Sequence, residues 1–102
     1  MASRLNLHEE LCEILGSRNV YFQPPESIKL VYPCIVYERS GFNKLAANDA
    51  FYRGVNQYHV VVIERDPDSE IPNRIISHFP MCNAGNPYTS DNLNHTPFNL
   101  YY

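Results

Sequence analysis

Four consecutive residues, Val60-Val61-Val62-Ile63, set the tightest limit on what this chain can fold into. They sit inside Gln57–Asp66 (QYHVVVIERD), whose β-branched and aromatic content reads as a strand. Successive strand side chains point to opposite faces, so an unbroken apolar run places apolar groups on both sides of a sheet. Both sides then need cover. One helix can supply one side; the other needs a second helix or a neighbouring subunit.

The rest of the chain offers two helices for that task. Leu5, Leu7, Leu11, Ile14 and Leu15, with Cys12 between them, recur at near-helical spacing, while Glu9, Glu10 and Glu13 fall on the other side. The spacing predicts an amphipathic helix from about Leu5 to Leu15, with Gly16 as the residue just past its end. Such a helix is too short to stand alone and must dock its stripe. A second helix is predicted after the turn Asp66-Pro67-Asp68-Ser69-Glu70. Asp68 or Ser69 suits its cap, Pro72 is tolerated in its first turn, and Ile71, Ile75, Ile76 and Phe79 form its apolar face to about His78.

Further strands are expected around these. Asn19–Phe22 reads as a short extended connector ended by Gln23-Pro24-Pro25, since consecutive prolines remove two donors. Leu30–Ser40 (LVYPCIVYERS) reads as a strand whose Pro33 implies an edge or a bulge near its start. Turn signals at Ala84-Gly85-Asn86-Pro87 precede a closing strand, Thr96–Tyr102, in which Leu100 is expected to be buried with tyrosine alternating outward. Gly41 to Asn56 has no clean period, and a long projecting loop or hairpin arm is expected there. With 102 residues the chain has room for one domain, residues 1–102. The fold class expected is α+β, with two helices on a small, mostly antiparallel sheet of about four strands.

Composition narrows the function classes. Eight basic and 11 acidic residues give a net charge of −3, and neither sign forms a run, so tight binding of nucleic acid is not expected. The three cysteines, Cys12, Cys34 and Cys82, are too far apart for a Cys-x-x-Cys metal or redox site and read as free core thiols. The start of the chain, with Glu9, Glu10 and Glu13 inside its apolar pattern, does not read as a signal peptide. No apolar run approaches the roughly 20 residues of a membrane span. A reducing cytoplasm is the expected setting for synthesis.

Catalytic, cofactor and metal sites are expected to be absent. His8, His59, His78 and His95 lack metal-type spacing. Ser90, Asp91 and His95 cluster in a turn, which says nothing about triad geometry. No Gly-rich phosphate loop, His-Glu-x-x-His or Gly-x-Ser-x-Gly occurs. Eight Tyr and five Phe, by contrast, make an aromatic set suited to protein interfaces as well as to a core.

Three stretches carry a resemblance. They are a helix running into ILGSRNVYFQPPESIKLVYPCIVYE, a middle strand with an acidic turn in YHVVVIERDPDSEIPNRI, and the closing YTSDNLNHTPFNLYY. Together they resemble the small tail-completion or tail-terminator proteins of long-tailed bacteriophages and prophages. The resemblance implies a structural virion protein of the tail or neck, assembled in the host bacterial cytoplasm, with no catalytic residues. It implies a homohexameric ring that caps the tail tube protein and meets the head-side connector, with DNA passing through the lumen without specific binding. Under that reading Phe42, Asn43, Lys44, Phe51, Tyr52 and Arg53 on the arm are the expected contacts with a neighbour or the tube, while Tyr101 and Tyr102 are expected to pack in the core, with a subunit contact as the alternative. A head-closure or connector neck protein, and a small non-enzymatic adaptor or inhibitor, are the alternative readings.

Overall fold

The computed structural model describes residues 4–42 and 56–102, with the main chain alone at 41 and 42. The described elements run α1 (Arg4–Leu15), β1 (Val20–Phe22), β2 (Cys34–Phe42), β3 (Asn56–Glu64), α2 (Ile71–His78), β4 (Cys82–Ala84), β5 (Tyr88–Ser90) and β6 (Leu93–Tyr101). The class is α+β, two helices on one mixed sheet. Its strand order is β1-β2-β3-β6-β4, and β5 also pairs with β6.

The expectation of about four mostly antiparallel strands is corrected to six, among the described residues, in a mixed sheet. Asn19–Phe22 contributes an edge strand, β1, lying parallel to β2 with Val20 opposite Ile35. The two strands missed, β4 and β5, have three residues each and lie end to end along β6. Gly85, just after β4, approaches β6 closely: its N–H donates to the Pro97 carbonyl at 2.8 Å, and a Cβ there would stand 3.0 Å from Pro97 Cγ.

The β2 boundary also moves. The strand starts at Cys34 rather than Leu30, immediately after the proline that cannot donate to a ladder. Tyr32-Pro33 is a cis peptide bond. At its other end β2 passes a register shift between Arg39 and Gly41 and runs on to Phe42, opposite Asn56 at the start of β3. Two ends of the expected arm, 41–42 and 56, are therefore strand, and the remainder lies outside the described residues.

Alternation along the strands divides the sheet into two faces. Ile35, Tyr37, Val60, Val62, Phe98 and Leu100 share one core cluster with Leu7, Leu11 and Ile14 of α1 and with Ile71 and Ile75 of α2. Both helices thus cover the same face. They run antiparallel, since His78 reaches Glu10 while Arg74 Nη1 donates to the Ile14 carbonyl at 3.5 Å. Burying this many large apolar side chains, at roughly 25 cal/mol per Å² of apolar area removed from water, is the main drive for the layer to close.

The local signals mostly operate as read. Gly16 takes φ +84°, and its N–H donates to the Cys12 carbonyl at 2.8 Å, ending α1. Pro72 sits in the first turn of α2 as read, but the N-cap is Glu70 rather than Asp68 or Ser69, with Ser69 Oγ accepting the N–H of Ile71 at 3.1 Å just before it. Two further assignments fail. Leu5 is 65% exposed and Ile76 is 42% exposed, so neither belongs to the buried stripe of its helix. Leu5 stands in the first turn of α1, before the helix passes over the sheet with Leu7.

Candidate functional site

The face left by the helices carries the alternate residues of the same strands. Register sets Cys34, Ile63 and His95 in one row, Val36, Val61 and Pro97 in the next, and Glu38, His59 and Asn99 in the third. The first row is closed over. Cys34, Ile63 and Leu93 are buried, with Tyr21, Leu30 and Tyr32 packed against them from β1 and from the segment that follows Pro25. The Tyr21 hydroxyl accepts the N–H of Val31 at 3.4 Å, holding that segment on the sheet.

Past the first row the cover gives out. Val36 and Val61 are only half-buried. They floor a shallow groove of about 240 Å³ whose sides include Gln23, Pro24, Glu38 and His59. The covering segment itself turns apolar groups outward, with Val31 57% exposed and Ile28 41% exposed. At the far edge, the half-exposed ring of Tyr88 stacks on His95, centroids 4.8 Å apart. This is an apolar and aromatic strip with polar sides, the composition of a protein contact surface.

A second hollow, about 180 Å³, lies at the other end of β3 among Tyr32, Pro33, Glu64, Arg65 and Asp66. Arg65 places its guanidinium over the Tyr32 ring, 5.7 Å from the centroid. Glu64 is buried. Burial and the nearby Asp66 charge push its carboxyl above the usual range, against a hydrogen bond from Ser69.

His8, His95 and the cysteines make local contacts. His95 Nδ1–H donates to the Leu93 carbonyl at 3.1 Å. His8 Nδ1 and Arg4 Nη1 meet the buried Tyr37 hydroxyl at 2.8 and 3.1 Å, and Arg4 also lies 4.3 Å over the Phe22 ring. Cys12 and Cys34 are buried free thiols and Cys82 is half-buried. Burial pushes the Cys34 thiol up to about 11. Among the described residues, no three His, Cys, Asp or Glu side chains group as metal ligands, and no helix is long and apolar enough to cross a membrane.

Of the contact residues expected from the sequence, Asn43, Lys44, Phe51, Tyr52 and Arg53 lie outside the described residues, and Phe42 is described in its main chain alone. Tyr101 and Tyr102 are half-buried at the end of β6. Leu100 is buried as expected, and Tyr102 packs within the chain: its ring lies against Phe79, centroids 6.1 Å apart, and its hydroxyl donates to Glu10. Sequence reasoning named Val61 for its apolar run and His59 only as a structural histidine, and did not single out Val36 or Glu38. The signal for this face was present in the run that is apolar on both faces. Compared with known proteins, the chain matches no family model, no curated protein and no solved structure.

Proposed function

We propose that this chain is a non-enzymatic structural subunit of a bacteriophage tail or neck, a tail terminator whose hexameric ring caps the tail tube and joins it to the head-side connector. The observation that carries the reading is the half-buried Val36–Val61 row. With both helices on the other face, the apolar cover of this face stops after the Cys34–Ile63 row, and a neighbouring subunit completes it. The resemblance of the three sequence stretches supplies the kind of assembly. The acidic balance, −3 per copy, suits a lumen through which DNA slides, because basic contacts are what hold phosphates.

The test is the mass of the purified chain by light scattering, with negative-stain imaging alone and after adding purified tail tubes. Rings of about six copies with a central hole, or caps on tube ends, support the terminator. Rings that bind connector but not tubes move the subunit to head closure. A monomer that caps nothing overturns ring assembly and leaves a small adaptor or inhibitor as the better reading.

A further inference from the structure

The Tyr102 main chain exchanges hydrogen bonds with Asn56, N–H to oxygen at 3.0 and 3.1 Å. Asn56 begins β3 and stands opposite Phe42, so this pair is the last described rung of the β2–β3–β6 ladder. The Tyr102 ring then turns to the helix side, edge-on to Phe79 at 75°, and its hydroxyl donates to Glu10 Oε2. Glu10 Oε1 is in turn 2.7 Å from His78 Nε2. One residue therefore ties α1, α2 and the end of the ladder together. The tie is open to solvent, with the Glu10 and His78 side chains 33% and 42% exposed.

We propose that Tyr102, Glu10 and His78 form an acid-released clasp that couples the seating of the two helices to the last rung of the sheet. The Glu10 carboxylate accepts from Tyr102 on one oxygen and from His78 on the other. Protonated, it loses the charge that strengthens both bonds, and the oxygen that carries the proton no longer accepts, so one partner must give up or reverse its hydrogen bond. His78 faces it from α2 and Tyr102 from the end of β6. Tyr102 is faced by Glu10 and, more weakly, by Tyr58 of β3, with Cys82 of β4 at the edge of the same cluster.

The titration behaviour agrees with this geometry. Burial pushes the Glu10 carboxyl up, but the hydrogen bonds from Tyr102 and His78 and the His78 charge together bring it below its ordinary 4.5. Burial first, then the hydrogen bond to Glu10, pushes the Tyr102 hydroxyl up to about 12. A carboxyl lowered by folding contributes stability that is complete above its unfolded value and lost as pH falls through the folded one. The clasp is thus closed at neutral pH and opens below 4.5.

Hydrogen exchange by NMR tests the clasp, using amide protection at Asn56 with the buried Val62 as control, from about pH 7 to about pH 3. The variants are Tyr102→Phe and Glu10→Gln, each checked for fold by circular dichroism. In the natural sequence, Asn56 protection is expected to fall about three- to tenfold as Glu10 titrates, with Val62 unchanged, as suits a partly exposed hydrogen bond to a charged group. Tyr102→Phe should start low at neutral pH, and both variants should lack the acid step. Protection at Asn56 that matches the natural protein in both variants would overturn the clasp. So would an acid step in which Val62 falls together with Asn56, since that is global unfolding. The outcome is independent of ring formation.

Discussion

Val36 and Val61 stand directly opposite one another in β2 and β3, on the face of the sheet that neither helix covers. Each is half-buried, whereas Ile35, Val60 and Val62 on the helix side of the same strands are buried. Cross-strand neighbours of this kind hold a sheet together, and their outer surfaces remain available for a second layer.

If a neighbour is that layer, Val61→Asp should abolish ring or cap formation in negative-stain images. The monomer should still fold, with a loss of about 1 to 2 kcal/mol in urea unfolding, because the position is half-open to water. Assembly that survives the charge would move the subunit contact elsewhere.

The two leucines of α1 separate packing from exposure. Leu11→Ala, at a position with 0% exposure, should cost about 2 to 5 kcal/mol in chemical denaturation. Leu5→Ala, at 65% exposure, should stay within about 0.5 kcal/mol of the natural protein in the same experiment. Equal losses at the two positions would contradict the seating of α1.

Gly16→Ala isolates a backbone effect. A Cβ there would meet nothing within 4 Å, yet φ is +84°. The expected loss is about 1 kcal/mol, from conformation alone, measured as a lower urea midpoint with an unchanged slope.

Cys34 supplies a pH prediction at the alkaline end. Its thiol is raised from 9.0 to about 11 by burial, so folding favours the protonated form. Stability from this group is complete below the unfolded value and should decline as pH rises from 9 toward 11. A thiol reagent at about pH 8 should label Cys34 only as fast as the protein opens, and all three cysteines at once in denaturant. Rapid native labelling of Cys34 would contradict its burial.

The sequence made legible whatever rests on a repeated local signal. The helix stripe Leu7, Leu11, Ile14, the unbroken run Val60–Ile63 and the glycine ending α1 each have a period or a backbone requirement, and each is found in place. The strands β4 and β5 have neither. Cys82–Ala84 and Tyr88–Ser90 are short and largely exposed, and they are strands only because β6 offers them an edge. The face chosen by α2 was equally unreadable. Ile71 and Ile75 say that the helix must dock, but either side of β3 could have received them. That choice decides the candidate surface: the run on β3 implied a second cover, and only the tertiary arrangement shows that the Val36 and Val61 row lacks it.

β6 follows every other described strand, yet it lies in the interior of the sheet, with β3 paired from Asn94 to Tyr101 on one side and β4 and β5 on the other. During synthesis the most apolar strand, β3, therefore emerges and waits with one edge bare until β6 is made. Such an edge is a template for the wrong partner, and neighbouring ribosomes on one message present many copies of it together. The interval between these two strands is when the chain is most exposed to misassembly, and factors that shield nascent strands would act there.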